Sequence, residues 1–365
     1  MIRESLLLPP GHPQYSGNVT EKLIRNAYEA ALTMTAVLLS WAIALWLEGV
    51  AGLHTDSVVL AVVLTVTLAR TQRTADTRGR LRALALLPAV SAVCALVGRL
   101  IATHYWLGAA VFTAGISLAI WIRRYGPAAT GAGTLMTLPL VALLVVPGPA
   151  LPPKAQGELV SWAWSALIGV LAWASVWLVR TVADRYGPWA AEADPGTPRR
   201  PSRLHPRPST RMAVQMAAAV AASFTLGRLL YGDHWPWLVL TAYVVASGNR
   251  GRTDVLRKGV ERFLGACAGT LLATGVAAVG ITGHAAVAVL LAVLAVALWL
   301  RPLTYAYWAA GMTTALSLLL GYFGQDAQSL LPTRLAAIAV GAILSVGASW
   351  FLLPVQRPSW RRRTA

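Results

Sequence analysis

Long apolar runs separated by short basic segments dominate this sequence and constrain its fold more than any other feature. Hydrophobic residues make up 56% of the 365 residues and charged residues only 12%, which is about half the charged share of a typical soluble domain. Such runs are buried in lipid, where every backbone polar group must find its hydrogen bond within the protein. We therefore predict an all-α integral membrane protein, and we exclude soluble enzymes, disordered chains and nucleic-acid-binding modules.

The apolar runs predict about twelve transmembrane helices, with ten as the alternative count. Several runs are shorter than the roughly 20 residues that a lipid-exposed helix needs. These short helices are expected to pack inside the bundle or to be extended by interfacial tryptophans. The predicted helices lie near residues 27–47, 55–69, 83–101, 105–122, 127–147, 159–179, 212–231, 235–248, 263–281, 285–300, 303–322 and 333–353.

Basic residues lie almost entirely in alternate connections between the helices, which is how Arg and Lys mark the cytoplasmic side of a membrane. An even number of helices with both termini in the cytoplasm satisfies this pattern, and adding or removing one helix breaks it. Much of the net charge of +17 is then a topology signal, and anionic lipids are expected partners of the cytoplasmic surface. The basic residues that fall elsewhere are Arg99, Lys154, Arg228 and Arg334.

The two halves of the sequence superpose without gaps when one is shifted by 180 residues. The matched positions belong to residue types that are infrequent in this chain, including four of its six histidines. This register predicts a tandem 6+6 repeat whose halves cross the membrane in the same sense, with a possible transport pathway at their interface. Matched pairs include His54 with His234, Arg82 with Arg262, His104 with His284, Tyr125 with Tyr305, and Pro152 with Pro332.

The repeat and a segment rich in Pro and Arg define the predicted domain boundaries. The segment between the halves has no apolar period, so we expect a solvated cytoplasmic linker there. The predicted parts are a cytoplasmic N-terminal segment at 1–26, a first six-helix unit at 27–180, the linker at 181–211, a second six-helix unit at 212–354 and a basic cytoplasmic tail at 355–365.

Four arginines are candidates for an anion path. A predicted loop-to-helix junction places Arg262 near a helix N-terminus, where free N–H groups and a guanidinium both favour anions, and Arg82 is its counterpart in the first half. Arg99 and Arg228 lie near the outer ends of helices, where an arginine either faces a water-filled cavity or extends to the interface. The alternatives are stop-transfer charges with a partner in Glu261 for the first pair, and simple snorkelling for the second.

Proton coupling is predicted for a group of residues on the outer side. His54 and His234 begin equivalent helices of the two halves, and Asp233 precedes the second of them. An imidazole with an ordinary pKa of about 6.5 follows changes in external acidity. The alternative interpretation is that these are ordinary polar residues of the membrane interface.

Motifs for catalysis and for cofactor binding are absent from the sequence. It contains no phosphate-binding loop of the form G-x-x-x-x-G-K-[ST], no G-x-S-x-G elbow and no H-E-x-x-H helix. Its two cysteines, Cys94 and Cys267, fall in separate apolar runs and cannot build a disulfide or zinc framework. We therefore predict no enzymatic activity, no cofactor and no metal.

Two motifs of the second half resemble the fusaric acid resistance protein family. Residues 234–241 read HWPWLVLT, an aromatic-led helix, and residues 257–270 read RKGVERFLGACAGT, an arginine followed by a helix with the pattern Gly-x-x-x-Gly-Thr. The first half repeats the second motif in eroded form at 78–82, with Ala85 and Ala89 in place of the two glycines.

The resemblance implies a multi-pass inner-membrane transporter that exports an aromatic or hydrophobic organic acid, with coupling to protons. Its plan is also similar to that of the plant aluminium-activated malate transporters, in which two six-helix units frame an anion pore. Its partners would be a small organic anion and protons, and homo-oligomerisation is left open. The alternatives are a passive anion channel and a membrane-embedded enzyme that reuses the scaffold for a lipophilic intermediate.

Overall fold

Twelve α-helices make up most of the residues that the computed structural model describes. These are residues 19–51, 56–72, 77–145, 158–186, 208–248, 251–281, 283–322 and 331–353. No β-strand occurs in these ranges, and the predicted all-α class is confirmed. The helices are α1 (Val19–Ala51), α2 (Asp56–Thr71), α3 (Thr77–Thr103), α4 (Tyr105–Trp121), α5 (Pro127–Val145), α6 (Glu158–Tyr186), α7 (Pro208–Tyr231), α8 (Trp235–Ala246), α9 (Arg252–Ala278), α10 (Gly283–Leu300), α11 (Tyr305–Tyr322) and α12 (Leu331–Phe351).

Eight helical segments in the described part of the chain are long and apolar enough to cross a membrane. One of them combines α7 and α8, which are joined by a single 3-10 turn at Gly232–His234. Helix α2 is also apolar but shorter. The chain is therefore a multi-pass membrane protein. Twelve crossings with both termini in the cytoplasm stay a prediction.

Several helices are longer than the apolar runs that predicted them. Helix α9 begins at Arg252 rather than near residue 263, α1 begins at Val19, and α6 continues to Tyr186. The apolar run marks only the part of a helix that needs lipid, whereas the backbone hydrogen bonds continue through charged residues. The predicted loop-to-helix junction at Arg262 is therefore wrong, because this residue lies inside α9 and not at a helix N-terminus. Most of the predicted linker and the basic tail fall outside the described residues.

The two halves share most of their helix contacts, although α3 also packs on α4 and α2 on α5 in the first half, and α8 packs on α9 in the second. In the first half α1 packs on α2 and α6, α2 on α6, α3 on α5 and α6, and α4 on α5. In the second half α7 packs on α8 and α12, α8 on α12, α9 on α11 and α12, and α10 on α11. Between the halves, α4 contacts α7 and α1 contacts α10, as a twofold exchange would require. These shared contacts are compatible with the tandem repeat, which stays a prediction.

Glycines bring α9 and α11 into close contact. A Cβ atom at Gly265 or Gly269 would overlap backbone carbonyl oxygens of Ala306 or Ala310 on α11. The Thr314 hydroxyl of α11 also donates to the Gly269 carbonyl oxygen at 3.0 Å. Small residues allow such close backbone approach between membrane helices, which associate through packing and interhelical hydrogen bonds. The second half therefore holds α9 rigidly against α11.

A buried ion pair connects α1 with α6 in the first half. Arg180 Nη2 donates to Glu29 Oε2 at 2.7 Å, and the arginine side chain is only 8% exposed. A buried cation is tolerated when an anion and hydrogen bonds compensate its lost hydration. The pair therefore fixes how these two helices meet.

Replacing Glu29 with glutamine should destabilise the protein by about 3–5 kcal/mol, because the charge of Arg180 would stay buried without its anion. Thermal unfolding in detergent, followed by tryptophan fluorescence, measures this loss. Arg257→Gln is the matched control, because it removes an exposed pair with Glu261 that spans one turn of α9, and exposed pairs contribute little. Equal losses for the two variants would contradict the structural importance of the buried pair.

Candidate functional site

A cavity of about 1130 Å³ lies between the two halves of the protein. Its walls come from α1, α2, α3 and α5 of the first half and from α8, α9, α10 and α11 of the second. Helix α10 lines the cavity from His284 to its end, and Arg301, the residue after the helix, also lines it. The distance from His284 to Arg301 along the helix axis is about 25 Å at 1.5 Å per residue. The hydrocarbon core of a bilayer is roughly 30 Å thick, so the cavity extends over most of that depth.

Positively charged side chains converge at one end of the cavity. They come from both halves and from separate elements, and the predicted topology puts this end in the cytoplasm. The described residues that line the cavity include no Asp or Glu. We call this group the basic end, and it consists of Arg70 on α2, Arg123 between α4 and α5, Lys258 and Arg262 on α9, and Arg301 between α10 and α11.

No member of the basic end belongs to the ion pairs found among the described residues, although Asp254 and Glu261 lie within electrostatic range of Lys258. Glu261 is next to Arg262 in sequence, yet it accepts a hydrogen bond from Arg257 at 2.8 Å. Within the described ranges, the charge of the basic end is therefore offset only at Lys258 and only in part. The four pairs are Arg80 with Asp184, Arg180 with Glu29, Arg228 with Asp233, and Arg257 with Glu261.

Polar and aromatic neighbours hold the cations of the basic end in place. Arg262 is only 5% exposed, and its guanidinium interacts with the hydroxyl of Tyr305 at the start of α11. The Lys258 ammonium donates to the Ser247 carbonyl oxygen, at the C-terminal end of α8. A helix C-terminus carries partial negative charge, which favours a cation at that place.

Arg301 is the cation that lies in the connection after α10. Its guanidinium lies over the Trp308 ring, 4.4 Å from the centroid, an arrangement that favours a cation. Burial, together with the nearby charge of Arg70, lowers the pKa of Arg301 to about 10. This value is still far above neutrality, so Arg301 remains charged under cellular conditions.

The rest of the cavity wall is mainly apolar. Branched side chains of α2 face it from one side and those of α10 from the other, for example Val62, Val66 and Leu291. Trp41 and Trp308 add aromatic surface. Such a wall is suited to an apolar body, while the basic end is suited to a negative charge. Within the described ranges, no cluster of His, Cys, Asp and Glu could hold a metal ion.

Of the four predicted arginines, Arg262 is a lining residue of the cavity and the other three are not. Arg82 is exposed on α3, and Arg99 is exposed near the other end of the same helix. Arg228 has a 46% exposed side chain, donates to Asp233 at 3.0 Å, and lies over the Tyr105 ring. The predicted residues are therefore not brought together as one path.

Two of the three predicted proton-coupling residues, His234 and Asp233, also lie away from the cavity lining. His234 packs against Trp237, with 4.7 Å between ring centroids, and Asp233 forms the exposed pair with Arg228. His54 lies outside the described residues. The histidine that lines the cavity is His284, at the end opposite the basic end. The role predicted for His54, His234 and Asp233 stays a prediction.

A model of the family described as fusaric acid resistance protein-like matches residues 216–348. The matched region runs from α7 to α12 and contains both motifs on which the predicted resemblance rests. The second half of the chain is therefore similar to this family over those residues. The resemblance predicted from the sequence is thereby confirmed for that half. No curated protein and no solved structure matches the chain.

The fusaric acid resistance protein-like region supplies three members of the basic end, and two others come from the first half. In the sequence, Arg70, Arg123 and Arg301 lie in the basic connections that membrane topology alone explains. The position of Arg301 near the cavity could have been inferred, because the connection of residues 301–304 is too short to place its side chain far from the helices. Arg123 lies in a similarly short connection between α4 and α5. No comparable signal marks Arg70, since it follows an apolar run as topology charges ordinarily do.

Proposed function

We propose that this protein is an inner-membrane secondary transporter that exports an aromatic or hydrophobic organic acid in exchange for protons. The observation that carries the proposal is the central cavity, whose basic end collects positive charge without a described carboxylate while its remaining wall is apolar. A carboxylate loses its hydration on entering the membrane, and a cationic lining replaces that hydration with charge-assisted hydrogen bonds. The apolar wall would contact the body of the acid.

An anion at the basic end would be held by both halves of the protein. Arg70 and Arg123 belong to the first half, whereas Lys258, Arg262 and Arg301 belong to the second. In transporters built from repeats, the substrate site lies between units that rock against each other. Because the same ion contacts both units, movement between them would change the access of the site from one side of the membrane to the other.

Uptake into inverted membrane vesicles tests this proposal. A panel of aromatic and aliphatic organic acids would be offered with and without a pH gradient, and protein-dependent accumulation that grows with the gradient is the expected result. A passive channel would instead give currents in proteoliposomes that do not depend on the proton gradient. An enzyme would form product in detergent, where no sealed compartment exists.

Replacing His284 with glutamine should leave transport down a concentration gradient intact and remove its response to the pH gradient. His284 lines the cavity at the end opposite the basic end, and an imidazole exchanges protons near neutral pH. Transport rates in vesicles at several imposed gradients measure the effect. His104→Gln is the matched control, because His104 holds the equivalent position in the first half and lies outside the cavity lining. Loss of coupling in His234→Gln alone would assign proton coupling to His234 instead of His284.

A further inference from the structure

We propose that the substrate is an amphiphile whose headgroup carries at least two negative charges, with the headgroup at the basic end and the apolar body along α2 and α10. This inference rests on the proposed function and names the substrate class of the same cavity. A small monocarboxylic acid has the negative charge that the basic end favours. It carries too little charge to balance the cations there, and it is too small to fill the cavity.

The charge of the basic end exceeds what one carboxylate can neutralise. Five cationic side chains line this end, and none forms an ion pair within the described part of the chain. Arg70 is close enough to Arg301 to lower its pKa, so these like charges repel each other. Asp254 and Glu261 already offset part of the Lys258 charge. A single negative charge would still leave three of the four arginines uncompensated, whereas each further charge on the ligand removes another repulsion.

The hydrogen-bond donors of the basic end suit a headgroup with several oxygen atoms. Three guanidinium groups besides Arg262 converge there, and each can bind two oxygens at once. The Nε atoms of Arg123 and Arg262 are buried and have no hydrogen-bond partner in the described structure. Arg262 is more than nine-tenths buried and lines the cavity, so it is an unsatisfied donor group within the proposed binding site.

The size of the cavity favours a body longer than one aromatic ring. Its volume of about 1130 Å³ exceeds the roughly 300–1,000 Å³ of pockets that bind drug-sized ligands. The apolar wall continues along α10 beyond the basic end, through Leu294 and Leu291 toward His284. An apolar chain or fused ring system would cover this wall, while a compact acid would leave most of it exposed to water.

Two kinds of headgroup share this chemistry, namely a phosphate monoester and a dicarboxylate. Three probes with one apolar body separate them, which are 4-hexylphenyl phosphate, 4-hexylphthalate and 4-hexylbenzoate. The full-length protein would be placed in phosphatidylcholine nanodiscs, since zwitterionic lipid does not compete for the basic end. Binding would be measured at pH 8, where the phosphate carries two charges because its second pKa is about 6, and empty nanodiscs would correct for partitioning.

We expect at least one dianion to bind tenfold or more tightly than 4-hexylbenzoate. A preference for the phosphate alone identifies a phosphate ester as the source, and a preference for the phthalate alone identifies a dicarboxylate. Arg70→Gln and Arg301→Gln should each reduce the preference to less than about threefold, and Arg185→Gln, an exposed arginine outside the cavity, should preserve it. Equal or tighter binding of the monoanion, compared with both dianions, overturns the inference.

Transport of the same probes separates this inference from the proposed function. If the dianions bind preferentially but no probe crosses the membrane in vesicles, the transporter proposal fails and the assignment of the binding site stands. If the monoanion is transported and binds as tightly as the dianions, the transporter proposal stands and the substrate class proposed here is wrong.

Discussion

Replacing Arg262 with glutamine should reduce anion transport at least tenfold while the protein still accumulates in the membrane. This arginine is buried, lines the cavity, and interacts with Tyr305 at the start of α11. Loss of a hydrogen bond to a charged group costs about 1.5–3 kcal/mol, which corresponds to roughly tenfold or more in binding. Initial rates of uptake into inverted vesicles, divided by the amount of protein present, measure the change.

Arg257→Gln is the control for this experiment because it removes the same side chain from the same helix. Arg257 is 74% exposed and pairs with Glu261 rather than with the cavity. We expect it to transport at the rate of the unaltered protein. Gel filtration in detergent shows whether each variant remains monodisperse. Unchanged transport by a correctly assembled Arg262→Gln protein would remove this residue from the mechanism.

Replacing Gly269 with alanine should destabilise the protein by about 3 kcal/mol, at the upper end of the cost of overpacking a core. The added methyl group would overlap the carbonyl oxygen of Ala310 and come within 2.9 Å of the Thr313 Cβ atom. Backbone atoms cannot rotate out of the way, so α9 and α11 would have to separate. The separation would also break the bond from Thr314 to the Gly269 carbonyl. Thermal denaturation in detergent, followed by gel filtration of the remaining protein, measures the loss.

Gly275→Ala provides the comparison on the same helix. A Cβ atom at Gly275 would meet nothing within 4 Å, and alanine is favoured over glycine in a helix by up to about 1 kcal/mol. This variant should therefore be as stable as the unaltered protein or slightly more so. Equal stability of the Gly269 and Gly275 variants would show that α9 and α11 do not approach as closely as described.

The helices could be predicted from the sequence because the membrane imposes a strong local rule. An apolar run such as 285–300 must be helical in lipid whatever its neighbours are, and α10 spans almost the same residues. The charged N-terminal part of α9 obeys no such rule. Its helical state depends on packing against α11 and α12, which is not visible in local composition.

The basic end could not be predicted because it depends on tertiary packing. Its members are separated by up to nearly two thirds of the chain, and each has an ordinary explanation in the positive-inside rule. The match between the two halves of the sequence predicts equivalent roles for Arg82 and Arg262, but Arg262 is buried and Arg82 is exposed. Gly265 and Gly269 draw α9 tightly against α11, whereas Ala85 and Ala89 stand at the corresponding places on α3.

The uneven distribution of charge along the cavity also determines how the cell's voltage would act on transport. With the basic end in the cytoplasm, a negative solute starts its path on the electrically negative side of the bilayer. Each negative charge carried outward, and each proton carried inward, then gains about 2.3 kcal/mol per 100 mV. This energy supports a concentration ratio of roughly fiftyfold for every charge moved. A respiring cell could therefore empty itself of such a solute even into surroundings that already contain it in excess.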